Sequence, residues 1–450
     1  MENASIVFGI IIYLILGIVL FCFYSKKNEY KEKPCFNGIR FSMFLYYIIV
    51  PLILMIFIKD FISYENKCGM WCNDSINKHI LNKNTLEILC SAIYIGVSFI
   101  IFWFVYNKCR GSFKTGEKNN RSIKNFSIFN YATLIIGGIS FIIFIIAMGG
   151  VVEMLKKGEY YRSFSNSLVD DIGLFAIFIV PARLVTVTPF LSIYLLDNDK
   201  ANKKTYMITL IVSFALSTLF YLYNAGRAPI ILFGLSIFYM ILKKYSKKPW
   251  QIIITLAIIG LPLLDVADSI FNSLLTGSKI KVTFNYVKYL YQFIYPFRNV
   301  LNVRNINLKY GYRFGLDYIT SFLDLLPKVS FPASYENTSL YINGTNWAVL
   351  GGIPNDFVTF ANLQLGILGN CILSIILGYI TAILDMKFSA MKEGYSKNLL
   401  NAVLTLYTFS LIISFDFCTF IRGNFILIII SYLVLTFCKK ERVAKWEYYI

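Results

Sequence analysis

Long apolar stretches recur from one end of the chain to the other, and short polar segments separate them. A helix that crosses a membrane needs about 20 consecutive, mostly apolar residues to span the hydrocarbon layer. On this criterion the pattern predicts eleven membrane spans, of which the seventh and the eleventh are short. The predicted spans cover residues 4–24, 41–58, 88–107, 127–148, 172–196, 205–223, 229–242, 250–268, 357–384, 399–417 and 423–438.

The composition agrees with this pattern. Of the 450 residues, 57% are apolar and 15% are charged, whereas soluble globular proteins have about 25% charged residues. A soluble enzyme, a disordered chain and a disulfide-stapled secreted domain are therefore excluded. The sequence predicts an all-α, polytopic integral membrane protein that forms one membrane domain over residues 1–450.

The net charge of +18 is distributed unevenly along the chain. Six polar segments carry 25 Lys and Arg residues against 9 acidic residues, whereas the rest of the chain carries 18 and 16. Cytoplasmic loops are enriched in Lys and Arg, so these segments predict an N-terminus outside and a C-terminus inside. This topology explains the charge without nucleic acid as a partner. The six segments are residues 25–40, 108–124, 197–204, 243–249, 385–397 and 439–450.

One outside connection, residues 269–353, is far longer than the others. A structureless loop of 85 residues is unusual, so this loop is predicted to form a helical cap. Residues 282–297 have the spacing of a helix that lies in the membrane interface. A second amphipathic helix is predicted at residues 315–326. Its apolar face comprises Leu316, Ile319, Leu323 and Leu326, and its other face, expected to be solvated, comprises Asp317, Ser321 and Asp324.

The cysteine and histidine content limits the chemistry. Cys68 and Cys72 share one outside loop, and a disulfide between them is an open alternative if that side is oxidising. His79 is the only histidine, which excludes a His-rich metal site. We expect it to be a solvated loop residue. The acidic start and the length of the first span predict a retained anchor rather than a cleaved signal peptide.

Charged residues inside or beside the spans are candidates for function, because an ionisable group at the bilayer centre costs at least about 2.5 kcal/mol. Arg183 lies near the middle of the fifth span. It either contacts a ligand or pairs with an acid such as Asp265. Further charges collect at the outer ends of the spans, namely Arg227, Asp265, Asp268, Asp356, Asp416 and Arg422. The outer loop adds Arg298, Arg304, Lys309 and Arg313, which suit either anionic lipid headgroups or a pyrophosphate.

The segment GGIPNDFVTFANLQLGILGN contains a P-x-D motif, Pro354 to Asp356, followed by a G-x-x-G motif, Gly366 to Gly369. This order resembles the Wzy-type O-antigen polymerases, or oligosaccharide repeat unit polymerases, in which P-x-D ends a large periplasmic loop and leads into a helix with G-x-x-G. Three further segments are similar to that family: GGVVEMLKKGEYYRSF after the fourth span, the GRAP turn at 226–229, and YGYRFGLDYITSFLDLLPKV in the outer loop. The resemblance covers residues 149–422.

The resemblance implies a metal-independent glycosyltransferase of the bacterial inner membrane, without a cofactor. It would transfer a growing O-antigen or capsular glycan from undecaprenyl pyrophosphate to the terminal sugar of a new lipid-linked repeat unit at the periplasmic face. The expected partners are that lipid-linked oligosaccharide, membrane lipid and a polysaccharide chain-length regulator.

Such a reaction needs a carboxylate to take a proton and cations to bind the departing pyrophosphate. Asp356 is the first candidate for the base, with Asp268, Asp324 and Glu159 as alternatives. The candidates for binding pyrophosphate or glycan are Arg227 and Arg422 first, then Arg298, Arg304 and Arg313, with Arg183 deeper and Arg162 as a further candidate.

Three alternatives differ from this hypothesis in identifiable features. A flippase or other transporter would explain the spans and Arg183, but transporters seldom need so long an outside loop. An O-antigen ligase performs related chemistry but typically uses a loop histidine, and His79 lies in another loop. A membrane scaffold would not require arginines and acids at one membrane level.

Overall fold

The computed structural model describes most of the chain. The described residues are 2–25, 33–68, 76–112, 123–163, 172–199, 201–223, 227–246, 248–256, 266, 269, 286–291, 293–323, 334–343, 355–391 and 394–415. Within them the backbone is helical almost throughout and forms no strand. This confirms the predicted all-α class for the described part of the chain.

The first helices in chain order are α1 (Glu2–Ser25), α2 (Pro34–Phe44), α3 (Val50–Ile56), α4 (Ile58–Cys68), α5 (Thr85–Ser112), α6 (Ile123–Ala147), α7 (Val151–Ser163), α8 (Ile179–Ala182), α9 (Thr188–Asn198) and α10 (Lys203–Tyr223). They are followed by α11 (Arg227–Tyr245), α12 (Tyr286–Tyr291), α13 (Tyr295–Tyr310), α14 (Leu316–Leu323), α15 (Ser334–Asn343), α16 (Phe357–Leu365), α17 (Ile367–Ser389) and α18 (Tyr395–Ile413). Short π-helical segments cover Leu45–Ile49 and Asn77–Leu81, and 3₁₀ turns cover Gly173–Phe178 and Arg183–Thr186.

Seven of the described helical segments are long and apolar enough to cross a membrane. They are Ala4–Cys22, Pro34–Ile56, Thr85–Arg110, Phe126–Ala147, Gly173–Asn198, Lys203–Tyr223 and Ile367–Ser389. They correspond to the first six predicted spans and to the ninth. Shorter apolar helices, Phe233–Lys243 and Lys397–Ile413, fall on the seventh and tenth. The eleventh predicted span and most of the eighth lie outside the described residues, so the number eleven stays a prediction.

The ninth predicted span has different bounds in the structure, where the candidate span is Ile367–Ser389 rather than residues 357–384. The structure has two helices there, α16 and α17, and Gly366 separates them with a φ of +63°. Side chains other than glycine rarely adopt this left-handed conformation. Hydropathy alone did not reveal the break because residues on both sides of Gly366 are mostly apolar.

The fifth span is helical but irregular. It begins in 3₁₀ turns at Gly173–Phe178, and a second 3₁₀ segment follows at Arg183–Thr186. Pro181 and Pro189 fall within this span, and each lacks the N–H that would continue an α-helical ladder. The backbone that begins at Arg183 is therefore 3₁₀ rather than α-helical.

The chain forms two compact units. The first comprises Met1–Thr115, Tyr286–Ser389 and Tyr407–Phe425, and the second comprises Gly116–Asn285, Ala390–Leu406 and Ile426–Ile450. In the first unit, α17 and α1 both pack against α5. Tyr13 of α1 is fully buried there and shares a 2.8 Å hydrogen bond with Ser91 of α5.

The first turn of α2 is held by a carboxylate from another helix. Lys33, at the N-cap, makes no side-chain cap hydrogen bond. Instead, Asp385 of α17 accepts hydrogen bonds from the backbone N–H groups of Cys35 at 2.9 Å and Phe36 at 3.1 Å, and from the Tyr106 hydroxyl of α5 at 2.9 Å. The first N–H groups of a helix lack partners within it and favour negative charge. Asp385 therefore ties three spans of the first unit together.

In the second unit, hydroxyl and amide side chains hold the helices together. Ser192 of α9 donates to Asn130 Oδ1 of α6 at 3.1 Å, and the hydroxyl groups of Ser192 and Thr209 of α10 are also 3.1 Å apart. Small polar residues are common between membrane helices because they allow close approach and satisfy each other's hydrogen bonds. The described part of this unit is thus a helix bundle held together by polar contacts of the kind that is common between membrane helices.

We predict that Gly369→Ala strongly destabilises the protein. Gly369 lies in the first turn of α17, and a Cβ there would fall on the backbone carbonyl oxygen of Ala361 in α16. Since backbone atoms must then move, we expect a loss of about 2 to 3 kcal/mol in the free energy of unfolding. The thermal unfolding midpoint of the purified protein in detergent measures this effect.

Gly234→Ala is the matched control. Gly234 lies within α11, and a Cβ there would meet nothing within 4 Å. Because alanine favours helices over glycine, the midpoint of this variant should stay unchanged or rise slightly. Equal losses for both variants would contradict the proposed close approach of α16 and α17.

Candidate functional site

The segment that carries the P-x-D and G-x-x-G motifs forms a short buried helix in the first unit. In α16, the eight residues from Phe357 to Gln364 are all buried. Asp356 is the N-cap residue, and its Oδ1 accepts a 3.1 Å hydrogen bond from the backbone N–H of Thr359. An aspartate at this position satisfies a free N–H group of the first turn. The structure therefore places Asp356, the first candidate for the base, at the N-terminus of a helix.

Tyr47 contacts Asp356 from the second span. Its hydroxyl donates a 2.5 Å hydrogen bond to Asp356 Oδ1, and the backbone N–H of Val358 donates to that hydroxyl at 3.4 Å. Tyr47 lies in the π-helical segment Leu45–Ile49, and such segments inside α-helices are frequent at functional sites. Tyr47 was not predicted as a site residue, because a tyrosine within an apolar span does not by itself indicate a partner.

The two oxygens of the Asp356 carboxylate differ. Oδ1 accepts both hydrogen bonds described above, whereas Oδ2 is buried and has no hydrogen-bond partner among the described residues. Burial raises the pKa of Asp356 to about 6, against the opposing effect of the hydrogen bonds from Thr359 and Tyr47. Tyr295 of α13 is a further titratable group whose charge would interact with Asp356. Asp356 thus combines an oxygen that is unpaired within the described residues with a raised pKa.

Asn355, between the proline and the aspartate of the motif, fixes the entry into α16. Its amide nitrogen donates to Ser334 Oγ at 3.0 Å, and its amide oxygen accepts from Thr338 Oγ1 at 2.8 Å, both on α15. The backbone N–H of Phe415 donates to its carbonyl oxygen at 2.8 Å. Both polar atoms of the Asn355 side chain therefore take part in holding the segment before Asp356.

A chain of buried amides crosses the break between α16 and α17. Asn307 of α13 donates to Asn362 Oδ1, and Asn362 donates to Asn370 Oδ1, both at 2.9 Å. Asn370 in turn donates to Ser98 Oγ of α5 at 3.1 Å and to the Val358 carbonyl at 3.0 Å. Buried amides cost free energy unless they are paired. The presence of Asn362 and Asn370 in a predicted span was a signal that could have indicated an internal polar site.

Arg313 pairs with Asp317 beside the end of α16. Its guanidinium donates to Asp317 Oδ1 through Nε at 3.1 Å and Nη2 at 2.9 Å, and Gln364 donates to Asp317 Oδ2 at 2.6 Å. Asp317 has no exposed surface, whereas 18% of the Arg313 side chain is exposed. The expectation of a solvated Asp317 is therefore wrong. Leu316 and Ile319 of the same helix are exposed instead, so α14 is turned with its acid inwards.

The other described candidate arginines have different surroundings. Arg298 of α13 is buried, with 8% exposed, whereas Arg304 on the same helix is exposed. Arg183 lies in the second unit, where it begins the 3₁₀ segment Arg183–Thr186 and is half-buried. These three arginines therefore differ in burial, from buried Arg298 to exposed Arg304.

His79 is buried, so the expectation of a solvated residue is wrong. Its Nε2 lies 2.9 Å from the carbonyl oxygen of Ile342 in α15, and its Nδ1 lies 3.3 Å from Asn302 Oδ1 in α13. Asn302 also donates to the His79 carbonyl at 3.0 Å. Burial, assisted by the charge of Arg298, lowers the pKa of His79 to about 4. A neutral histidine thus joins three segments of the first unit.

Several predicted positions fall outside what the structure describes. Asp268, Asp324 and Arg422 lie outside the described residues, as do Pro354, Asp265, Asp416 and Cys72. Glu159 and Arg162 lie in α7, and Arg227 is the first residue of α11, but only their backbone is described. Within the described residues, no group of three or more His, Cys, Asp and Glu side chains is arranged to hold a metal ion.

Comparison of the chain with family models, with curated proteins and with solved structures finds no match. The family resemblance therefore depends on the motifs in the sequence. Among the described residues, Asp356 and its hydrogen-bond partners form the candidate functional site.

We predict that Asp356→Asn stabilises the protein at neutral pH. Since the pKa of Asp356 is raised to about 6, the folded state binds more protons than the unfolded state, and stability falls as the pH rises from about 4 to about 6. Asparagine keeps an N-cap oxygen and removes this dependence. We expect a gain of up to about 3 kcal/mol near pH 7, measured as the unfolding midpoint against pH.

Asp356→Ala separates the charge from the cap in the same experiment. It also removes the buried charge, but it loses the N-cap hydrogen bond, which costs about 1 kcal/mol. Its gain should therefore be smaller than that of Asp356→Asn. If wild type and Asp356→Asn depend on pH in the same way, Asp356 does not carry the raised pKa.

Proposed function

We propose that the protein is a glycosyltransferase of the bacterial inner membrane that polymerises lipid-linked oligosaccharide repeat units of O-antigen or capsular polysaccharide. The supporting observation is the structure of residues 355–369, the described part of the segment that carries the P-x-D and G-x-x-G motifs. Asp356 caps a buried helix and keeps one oxygen unpaired within the described residues, and Gly366 and Gly369 turn that helix into a membrane span. Each motif residue with described surroundings thus has a physical role.

In the proposed reaction, a hydroxyl group of the acceptor sugar attacks the anomeric carbon of the donor glycan. The bond from that carbon to the pyrophosphate oxygen breaks, and undecaprenyl pyrophosphate leaves with the electron pair. The hydroxyl proton passes to Asp356 Oδ2. A base with a pKa of about 6 is largely ionised at neutral pH and is more basic than an ordinary aspartate. Asp356 has no exposed surface. The acceptor therefore reaches it only after the side chains that pack against it move apart.

The pyrophosphate requires cations, which arginine supplies as a planar fork of donors. Arg304 is exposed on α13, so it is accessible to an anionic ligand. Arg227 and Arg422 remain the first candidates from the motifs, with Arg298, Arg183 and Arg162 as further ones. Arg313 already pairs with Asp317, so we assign it to holding the loop beside α16. The proposed topology has a periplasmic N-terminus and a cytoplasmic C-terminus, and the proposed partners include a chain-length regulator.

A flippase or transporter is the second candidate, and one observation favours it. Transporters often bind their substrates at discontinuous membrane helices, and the break at Gly366 produces a half-helix followed by a full span. The buried carboxylate at the start of that half-helix is compatible with either function. The two functions differ in the product that accumulates when the protein is lost.

We predict that the polymer ladder of the surface glycan collapses to a single repeat unit in a strain that lacks the protein. Wild type should restore the ladder, whereas Asp356→Asn and Arg227→Ala should not, because one lacks the base and the other a phosphate-binding cation. Gels of the surface glycan and of its lipid-linked precursors measure both outcomes.

Asp199→Asn is the matched control, since it makes the same carboxyl-to-amide change in a polar turn between two spans. It should restore the ladder fully. If the surface glycan disappears and lipid-linked repeat units accumulate in the deletion strain, export or ligation is lost, and the polymerase proposal is wrong.

We further predict that Tyr47→Phe shifts the acidic limb of the pH profile of polymerisation to higher pH. The hydrogen bond from Tyr47 favours the carboxylate, so its loss raises the pKa of Asp356 further. Activity should fall at acidic pH and recover at alkaline pH. The measurement uses proteoliposomes supplied with lipid-linked repeat units.

Tyr46→Phe is the control for this experiment. Tyr46 is equally buried in the same π-helical segment, and the described hydrogen bonds to Asp356 do not involve it. Its pH profile should match that of wild type. Identical profiles for the Tyr47 and Tyr46 variants would show that Tyr47 does not act through Asp356.

A further inference from the structure

Helix α14 and the loop before it expose an apolar surface in the first unit. Leu316, Ile319 and Leu323 recur along one side of α14 and are 51%, 63% and 39% exposed. On the other side, Asp317 is buried against Arg313 and Gln364. A helix next to water has the opposite arrangement, with its charged side outwards. The exposed side of α14 is therefore suited to an apolar environment.

The loop before α14 presents two aromatic side chains on the same surface. Tyr312 is 48% exposed and Phe314 is 71% exposed. Phe314 has a φ of +49°, in the left-handed region that is unfavourable for a residue with a side chain. Gly311 and Gly315 on either side also have positive φ values, of +78° and +82°. The backbone is thus bent so that a large aromatic ring points away from the protein.

Backbone hydrogen bonds fasten this loop to the end of α16. The N–H groups of Arg313 and Phe314 donate to the carbonyl oxygens of Leu363 and Gln364, both at 2.9 Å. The Tyr312 ring also lies close to Gly366, since a Cβ built there would be 3.3 Å from Tyr312 Cε1. The loop therefore has a fixed position relative to the start of α17.

That position is the level at which a span enters the membrane. Helix α17 begins at Ile367, and its first residues are exposed, with 43% of Ile367 and 65% of Leu368 accessible. Leu365 before the break is 39% exposed. The apolar surface of the loop is thus connected to residues that begin a membrane span. Aromatic side chains are enriched at this level of membrane proteins.

We propose that the loop Gly311–Gly315 and helix α14 insert into the lipid headgroup region, with phospholipid as the occupant of their apolar surface. Continuity with the start of α17 favours lipid over a second protein chain, because bilayer already surrounds the exposed residues of that span. Exposed Arg304 and Lys309 on the preceding helix α13 are suited to anionic headgroups. This proposal does not depend on the proposed enzymatic function.

Photocrosslinking tests the proposal on the full-length protein in nanodiscs of phosphatidylethanolamine and phosphatidylglycerol. p-Benzoylphenylalanine replaces Phe314, and mass spectrometry of the irradiated protein detects adducts that carry the mass of one lipid. Two further positions serve as references: Ile142, which is 51% exposed in the span Phe126–Ala147, and Asn202, which is exposed in a polar turn. We expect the lipid adduct yield at position 314 to equal that at 142 and to exceed that at 202 at least fivefold.

An adduct yield at position 314 as low as that at 202 would overturn the proposal. A crosslink from position 314 to a second copy of the chain would do so as well, because it would identify a protein occupant. Tyr312 on the same loop provides a second position if the variant at 314 does not fold, as judged by its unfolding midpoint, and the same comparison then decides.

Discussion

The break between α16 and α17 imposes a constraint on most of the first unit. A buried helix leaves N–H groups at its start and C=O groups at its end without partners inside the helix, so buried groups of this kind need partners elsewhere. At the N-terminus of α16, Asp356 accepts from Thr359. At its C-terminus, the carbonyl oxygens of Leu363 and Gln364 accept from a loop that is distant in sequence. The position of that loop, the buried pair of Arg313 and Asp317, and the amide chain through Asn362 all follow from satisfying one interrupted helix.

The interrupted helix and its buried polar groups cost free energy of folding, which supports a functional interpretation. A continuous apolar helix would satisfy its own backbone and would need neither Asn362 and Asn370 nor a buried acid. The actual chain instead buries Asp356 with one oxygen unpaired among the described residues, so that its pKa is raised by burial. Strongly perturbed ionisable groups of this kind are concentrated at functional sites, because stability is lost there in exchange for reactivity.

Hydropathy predicted the long apolar helices correctly. Details of the candidate site were predictable only where the residues involved are adjacent in sequence. Seven helices long and apolar enough to cross a membrane were predictable, because about 20 consecutive apolar residues have few other stable arrangements. The break at Gly366 was missed because the residue that packs against it, Tyr312, is distant in sequence and no short window contains both. His79 and Asp317 were expected to be solvated because polar residues in loops usually are, whereas their partners Ile342 and Gln364 are far away in sequence. Asp356 was predictable as a candidate because its motif is contiguous, but its partner Tyr47 lies on another span.

The two buried aspartates of the first unit show how structure and function can be separated. Both satisfy the N–H groups at the start of a helix, and both accept from a tyrosine hydroxyl. Asp385 uses both oxygens, since Oδ1 accepts from Cys35 and Oδ2 accepts from Phe36 and Tyr106. In Asp356, both hydrogen bonds converge on Oδ1, and Oδ2 has none among the described residues. A carboxylate that only held helices together would gain free energy by engaging its second oxygen, because an unmade buried hydrogen bond costs about 1 to 3 kcal/mol. The two carboxylates therefore differ: Asp385 is engaged through both oxygens, whereas Asp356 retains one oxygen that is unpaired within the described residues, as the proposed role of a base requires.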